Sequence, residues 1–306
     1  MQNLSIIKKI ETIRPVMIGG WPGMGSVALG VVDYIQKKLN AEKFAEIKVD
    51  PLSVLDSVIV DDGIAKLPQP PHNSFYYVKN PELIIFVGEA QLPGQSGVAL
   101  LEKVLDAAIQ YKVSMILTGA AFPLPVSYRD IPEIFGAVNR KPLTEMLRRY
   151  GIKLMEGGHI SGLNGLILGL AEKRKLDAIC LLSTMPQYAI SLPNPKASAA
   201  IVEKMSRMLD LSIDMGEFEE FIKDMDEKMS VIEDKVKDVL TIEKEEPESP
   251  PHDKKIPGYI MEKIEKLFRE ARANKGKAIS LKKELDRWDL YKLYEDRFLD
   301  LFKDKQ

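Results

Sequence analysis

The sequence has 306 residues, of which 45% are hydrophobic and 29% charged, a composition typical of soluble globular proteins. This composition excludes a collagen-like chain, a largely disordered chain and a small fold held together by disulfides. The net charge is −2, so the chain lacks the surplus of Lys and Arg with which proteins attract nucleic acids or anionic membranes. We therefore expect no nucleic acid and no membrane among its partners.

Cysteine and histidine are too scarce for a disulfide framework or a zinc site. The single cysteine, Cys180, cannot form an intrachain disulfide, and no Cys-x-x-Cys pair accompanies the three histidines. The N-terminal segment carries Lys8, Lys9 and Glu11 and has no apolar run of signal-peptide length. No segment approaches the roughly 18 apolar residues of a membrane span. We expect a reduced, cytoplasmic protein with no metal and no cofactor.

Short apolar segments alternate with amphipathic helical patterns along the first 212 residues. The predicted strands are 16–19, 83–88, 113–119 and 178–182. The predicted helices are 98–109, 162–172 and 197–209. This alternation predicts an α/β sandwich with a largely parallel sheet. Between Lys48 and Lys79, short segments separated by Asp-Asp-Gly and Pro-Gln-Pro-Pro predict antiparallel ribbon, so we expect a mixed sheet.

Charge density separates the chain into two regions. Residues 1–212 hold 23 Lys/Arg and 20 Asp/Glu, whereas the last 94 residues hold 20 and 25. We expect a helical C-terminal appendage after the α/β domain. The predicted organisation is an α/β core over 1–212, a heptad-patterned helix over 213–242, a charged Pro-rich linker over 243–257 and a helical hairpin over 258–306.

The helix over 213–242 carries apolar residues at alternating steps of four and three, which is a heptad seam. The seam residues are Phe218, Ile222, Met225, Met229, Ile232, Val236 and Val239. Two interpretations remain open. The seam forms an oligomer interface with a second chain, or it packs on the chain's own core.

A glycine-rich loop between the first predicted strand and helix is the sharpest local motif. Gly23, Gly25 and Ala28 match the G-x-G-x-x-G/A pattern of dinucleotide sites, and Asp50 follows at about the distance of a ribose-binding acid. The extra residues after the strand depart from the tight turn of that fingerprint. A dinucleotide site and a glycine loop that lets helix and sheet pack closely are both open interpretations.

Two further loops carry polar residues where α/β sheets bind ligands. One follows the strand ending at Gly88, and the other begins at Gly157 and contains His159, the only histidine in such a loop. Each polar residue has an equally simple explanation as a helix cap or a loop hydrogen bond. The candidate ligand-binding residues of the three loops are Gly20, Trp21, Gly23, Gly25, Ser26, Glu89, Gln91, Gly158, His159, Ser161 and Asn164. We predict no catalytic residue and no metal ligand.

Four segments carry a family resemblance. They are GGWPGMGSVALG at 19–30, GEAQLPGQSG at 88–97, GGHISGLNGLILGLAEKRKLDAICLLSTMPQY at 157–188 and ELDRWDLYKLYEDRFLDLF at 284–302. Together they resemble the proteasome assembly chaperone two-like family of archaea and bacteria, over about residues 13–212 and the C-terminal hairpin.

The resemblance implies a three-layer α/β sandwich similar to nucleoside phosphorylases, homo-oligomers, and proteasome α subunits as partners. Related archaeal chaperones dock through a C-terminal hydrophobic-Tyr-any tripeptide, whereas this sequence ends Asp-Leu-Phe-Lys-Asp-Lys-Gln. We therefore expect docking through another surface. The expected function is a non-catalytic chaperone or oligomeric scaffold. The alternative is a nucleoside- or nucleotide-binding protein or enzyme of phosphorylase-like fold, because fold alone does not decide function.

Overall fold

The computed structural model describes residues 3–49, 58–242, 258–273 and 277–287, together with 290, 291, 294, 297, 298 and 301. The chain divides into two compact units, Met1–Val239 and Leu240–Gln306. The predicted linker, 243–257, lies outside the described residues, as do residues 274–276 of the predicted C-terminal hairpin.

The first unit alternates strands and helices. Its strands are β1 (Asn3–Ile6), β2 (Val16–Gly20), β3 (Glu42–Lys48), β4 (Ile59–Asp61), β5 (Ile64–Lys66), β6 (Asn73–Val78), β7 (Leu83–Gly88), β8 (Met115–Leu124), β9 (Ile134–Val138), β10 (Lys153–Leu154) and β11 (Asp177–Pro186). Its helices are α1 (Val27–Lys38), α2 (Gly94–Gln110), α3 (Leu143–Arg149), α4 (Leu163–Lys173), α5 (Pro195–Leu209) and α6 (Gly216–Ile242).

Within the described part of the chain, nine strands form one mixed sheet in the order β1-β3-β6-β7-β2-β8-β11-β9-β10. The central strands β7, β2, β8 and β11 are parallel to one another. The segment β1-β3-β6 adds antiparallel strands on one side, and β9 pairs antiparallel with β11 on the other. The predicted α/β architecture with a mixed, largely parallel central sheet is therefore confirmed. Because the four central strands are parallel, their carboxyl ends lie at one edge of the sheet.

Helices cover both faces of this sheet. In β11, Cys180 and Leu182 face α2 and α4, whereas Ile179 and Leu181 face α1 and α5. This alternation is the period of two expected for a strand buried on both faces, and it explains why such strands are continuously apolar in sequence. The result is the predicted three-layer sandwich.

The hairpin β4–β5 forms a separate two-stranded sheet. Val60 lies opposite Ala65, and Ile59 lies opposite Lys66. The side chain of Val60 is 64% exposed. The predicted antiparallel ribbon between Lys48 and Lys79 thus divides into two parts, because β6 joins the main sheet while β4 and β5 pair only with each other.

The first half of α6 packs on the same unit as the sheet. Phe218 is buried and its ring stacks on Tyr34 at a centroid distance of 3.8 Å. The side chain of Lys38 forms ion pairs with Asp214 and Glu217 at 2.9 Å each. These bonds raise the pKa of Lys38 and lower the pKa values of both carboxyls.

The second unit has a small hydrophobic core of its own. Its helices are α7 (Gly258–Ala273) and α8 (Ala278–Arg287). The core is formed by Ile264, Phe268, Ala271, Ala278, Leu281, Leu285, Leu290, Phe298 and Leu301. Arg297 binds both oxygens of Glu265, at 2.6 and 2.7 Å, and lies over the ring of Phe268. The helical appendage predicted for this region therefore forms its own packed unit. None of the helices in the described residues has the length and apolarity to span a membrane.

The contact between Tyr34 and Phe218 leads to a stability prediction. Replacing Phe218 with Ala should lower the free energy of unfolding of the first unit by about 3 kcal/mol, because a buried aromatic ring is lost. Urea titration followed by the fluorescence of Trp21, in a Trp288→Phe background, measures this change. The matched control is Phe221→Ala, whose ring is 53% exposed and whose loss should cost less than about 0.5 kcal/mol. Equal effects of the two substitutions would contradict the assigned packing of α6.

Candidate functional site

The glycine-rich loop follows β2 at the carboxyl edge of the sheet. It forms a single 3₁₀ turn over Met24–Ser26 before α1 begins. Gly25 has a φ of 63°, and a Cβ atom there would lie 2.8 Å from the sulfur of Met185. The Gly25 amide donates to the carbonyl of Ile190 at 2.8 Å, and its carbonyl accepts from the Asn194 amide at 2.8 Å. The loop therefore binds the segment that leads into α5.

The other residues of this loop have different exposures. Gly20 is buried at the end of β2, whereas Gly23 and Ser26 are exposed. The Ser26 amide donates to the Gly23 carbonyl at 2.9 Å, which closes the turn. The contacts of Gly25 favour the packing interpretation over a dinucleotide site. The predicted ribose-binding acid, Asp50, lies outside the described residues.

Trp21 and Asn164 join the first loop to α4. The Trp21 amide donates to Asn164 Oδ1 at 3.0 Å, and Asn164 Nδ2 donates to the Trp21 carbonyl at 3.1 Å. The Asn164 carbonyl accepts from Thr118 Oγ1 at 2.8 Å. Both Trp21 and Asn164 are buried, so these bonds pair polar groups that would otherwise be costly to bury.

Gln91 connects the second loop to the other two. Its Oε1 atom accepts from the Leu163 amide at 2.9 Å, and its Nε2 atom donates to the carbonyl of Pro22. The structure thus brings three of the predicted residues, Trp21, Gln91 and Asn164, into one hydrogen-bonded cluster at the carboxyl edge of the sheet.

Glu89 lies next to Gln91 but makes a different contact. Its Oε2 atom accepts from the backbone amide of His72 at 2.9 Å, and its own amide donates to the His72 carbonyl at 3.0 Å. Glu89 thus makes a loop hydrogen bond, which is the alternative to ligand binding considered for it in the sequence analysis. Partial burial, and then the negative charge of Glu89, raises the pKa of the Asp33 carboxyl on α1.

The third loop presents its polar residues to solvent. Gly158, His159 and Ser161 are all exposed. The residue at the N-cap of α4 is Gly162, which makes no side-chain cap, so Ser161 does not have the capping role considered for it. Ligand binding by these residues stays a prediction.

The predicted residues face two separate depressions rather than one pocket. Gln91 lines a groove of about 1020 Å³ between the start of α2 and α4. Gly25 and Ser26 line another depression of about 560 Å³, between α1, α5 and α6. A third cavity, of about 250 Å³, lies at the carboxyl ends of β8 and β11 beneath α6.

Sequence reasoning missed this third cavity. Its polar wall includes Lys196, whose Nζ atom donates to the Tyr128 carbonyl at 2.7 Å and to Asp226 at 2.9 Å. Ser127 donates to the nearly buried carboxylate of Glu233 at 3.0 Å. The predicted parallel sheet could have indicated its position, because ligand cavities in such sheets lie at the carboxyl ends of the strands.

The seam residues of α6 are partly used within the chain. Phe218 and Met229 are buried, Ile222 packs partly buried on the core, and Met225 lines the third cavity. Ile232 is half-buried. The side chains of Val236 and Val239 lie outside the described ones. Packing within the chain therefore accounts for the first half of the seam. An oligomer interface formed by the seam stays a prediction.

Cys180 lies in the sheet, away from these loops. Its side chain is fully buried in the core formed with α2 and α4. Burial raises the pKa of the Cys180 thiol to about 12. Among the described residues, no group of three or more His, Cys, Asp or Glu side chains is placed to hold a metal ion.

Comparison with known proteins gives one family match. The model of the PAC2 family matches residues 17–233. Among curated proteins, the uncharacterised protein MJ1210 of Methanocaldococcus jannaschii is 27% identical over 253 residues, which cover 80% of this chain and 94% of the relative.

Two solved structures from Pyrococcus furiosus share the fold. PbaB, an archaeal proteasome activator, is 26% identical with a TM-score of 0.65, covering 76% of this chain and 98% of PbaB. PbaA, an archaeal homolog of proteasome-assembly chaperone, is 19% identical with a TM-score of 0.61, covering 78% of this chain and all of PbaA. The likeness to PbaA shows the fold alone.

The hydrogen bonds of Asn164 lead to a prediction for the loop cluster. Asn164→Ala should lower the free energy of unfolding by about 2 to 3 kcal/mol, because the buried amide and carbonyl of Trp21 lose their partners. Urea titration followed by tryptophan fluorescence measures the change. Ser161→Ala, two residues before α4 and exposed, is the matched control and should change stability by less than about 0.5 kcal/mol. A loss of stability in the control as large as that in Asn164→Ala would contradict this assignment.

The raised pKa of Cys180 leads to a prediction on pH. An unfolded thiol ionises near pH 8.5, whereas the folded one stays protonated up to about 12. Between these values the unfolded chain has released a proton that the folded chain retains, so the free energy of unfolding should fall as pH rises. Cys180→Ala should make this decline shallower. The prediction would be refuted if the free energy of unfolding fell equally steeply with pH in the wild type and in Cys180→Ala. Rapid labelling of the Cys180 thiol in the native protein at pH 8 would also refute it.

Proposed function

Because the chain belongs to the PAC2 family, we propose that it is a non-catalytic assembly chaperone that binds proteasome α-type subunits. Membership rests on the family match over residues 17–233, which confirms the resemblance stated from the sequence motifs. We also propose that the protein is a cytoplasmic homo-oligomer.

The similarity to PbaB carries the proposal. PbaB is an archaeal proteasome activator, and its structure matches this chain over nearly its whole length at 26% identity. A protein that activates proteasomes must contact them, so the likeness supports a proteasomal partner here.

The loop cluster supports binding rather than chemistry. A general acid or base needs a side chain free to reach a substrate proton. The amide side chains of Gln91 and Asn164 do not titrate, and they hold neighbouring backbone groups. The nearby carboxylate of Glu89 accepts from the His72 amide. These contacts favour a rigid surface made of loops, which suits recognition of a protein.

Activation of an assembled proteasome is a second candidate function. The specific observation in its favour is that the identity to the activator PbaB is 26%, against 19% for the assembly-chaperone homolog PbaA. The two functions differ in their binding partner, because a chaperone binds free α-type subunits and an activator binds the assembled proteasome.

Affinity purification of the tagged full-length protein from its own organism tests the proposal. Bound proteins and extracted small molecules are both identified by mass spectrometry. We expect α-type subunits in near-stoichiometric amount. Enrichment of a nucleoside or another metabolite, with no α-type subunit, would reject the proposal and favour the ligand-binding alternative.

A second experiment separates chaperone from activator. Purified α-type subunits, alone and assembled with β-type subunits, are each mixed with the protein. A chaperone should accelerate the appearance of α-subunit rings in native mass spectrometry and leave peptide hydrolysis by the complete proteasome unchanged. An increase in peptide hydrolysis without faster ring formation would assign the activator function instead.

A further inference from the structure

The third cavity, beneath α6, combines apolar walls with one ion pair. Eleven of the nineteen residues that line it are apolar, and three of these are methionines, Met185, Met225 and Met229. Methionine side chains are flexible and adapt to ligands of different shape. The volume of about 250 Å³ lies just below the roughly 300 to 1,000 Å³ of typical ligand pockets. The cavity therefore suits a small and largely apolar molecule.

The ion pair joins Lys196 of α5 to Asp226 of α6, and both residues line the cavity. Two of the three N–H groups of the Lys196 ammonium are used, by Asp226 Oδ2 and by the Tyr128 carbonyl. Asp226 Oδ1 accepts no hydrogen bond from the residues that the structure describes. Each partner of the pair thus keeps one hydrogen-bonding position for a ligand.

Polar contacts hold α6 above this cavity. Lys196 bonds both to α6, through Asp226, and to the loop after β8, through the carbonyl of Tyr128. One turn further along α6 than Met229, the nearly buried carboxylate of Glu233 accepts from Ser127 of the same loop at 3.0 Å. These contacts fix the helix on both sides of Met229. The walls of the cavity are therefore preformed, which lowers the cost of binding.

Two other carboxylates line the cavity, and each has a partner within the chain. Asp130 Oδ2 accepts from the Ser127 amide at 2.9 Å. Glu133 forms an ion pair with Lys153 of β10. The charges that a ligand can use are therefore those of Lys196 and Asp226.

This ion pair determines which charges the ligand should carry. A ligand with a single charge would take one partner of the pair and leave the other partly buried and unpaired, which is unfavourable. A ligand with a carboxylate beside an ammonium group can bind both partners at once. Its carboxylate accepts from Lys196, and its ammonium group donates to Asp226. A small molecule with both groups and an apolar side chain is an aliphatic α-amino acid.

We propose that this cavity binds a free α-amino acid with an apolar side chain, such as leucine. The carboxylate binds Lys196, the ammonium group binds Asp226, and the side chain lies among Met185, Met225 and Met229. Because α6 supplies Asp226 and two of the methionines, the bound amino acid holds α6 more firmly on the sheet. The inference goes beyond the proposed function and does not rest on it.

Isothermal titration of the purified full-length protein with L-leucine tests the site. Two analogues each lack one charged group: 3-methylbutylamine lacks the carboxylate, and 4-methylpentanoate lacks the ammonium group. Each should bind about tenfold more weakly than leucine or worse, because a charge-assisted hydrogen bond is lost. Equal affinity for leucine and either analogue would overturn the inference. So would a lack of binding by leucine, isoleucine, valine and methionine up to about 10 mM.

Two variants locate the binding site. Asp226→Asn should raise the dissociation constant for leucine by about tenfold or more. Its matched control is Glu227→Gln, which removes the same charge from the next residue of α6. Glu227 is exposed and does not line the cavity, so the affinity should not change. Met225→Trp should block binding by filling the cavity while both charges remain.

Unchanged leucine binding in Asp226→Asn or in Met225→Trp would overturn the inference, and so would equal losses in Asp226→Asn and Glu227→Gln. Circular dichroism checks that each variant is folded. The two analogues are tested on the wild type, so the decision does not depend on the folding of any variant. Because no proteasome subunit takes part in these titrations, failure of the amino-acid site and failure of the proposed function are separate results.

Discussion

The reciprocal hydrogen bonds between the backbone of Trp21 and the side chain of Asn164 hold the carboxyl edge of the sheet together. They connect the end of β2 to the start of α4, and the Asn164 carbonyl adds β8 through Thr118. All three residues are buried, where an unpaired amide is costly and a paired one is well ordered. Gln91 extends the same network to the loop after β7. The positions of the three loops therefore depend on two amide side chains, those of Asn164 and Gln91.

This network uses the side chains of Gln91 and Asn164, two of the predicted ligand-binding residues, to hold neighbouring backbone groups. Toward solvent, this edge of the sheet presents the exposed loop around His159 and the uncharged groove between α2 and α4. Such surfaces suit the recognition of a protein, as the proposed function requires.

The sequence predicted the central elements because their patterns are local. Apolar runs identified β2, β7, β8 and β11, the first three of them through runs that end in glycine. Amphipathic periodicity identified α2, α4 and α5. Three strands, β1, β9 and β10, were missed because they are short and depend on pairing with distant residues. The bonds of Asn164 and Gln91 were also beyond sequence reasoning, since a residue type does not identify a partner more than 60 positions away. The heptad pattern predicted a helix where α6 lies, but periodicity cannot say what its apolar seam packs against.

The margins of the nine-stranded sheet have a consequence for the behaviour of the chain at high concentration. A long, flat strand at the edge of a sheet is a template on which other chains aggregate. Here one margin is a four-residue strand followed by Lys8 and Lys9, and the other is a two-residue strand, Lys153–Leu154. Both margins are thus too short, and too close to lysine, to template further strands. We therefore expect the protein to stay in solution at high concentration without edge-to-edge polymerisation.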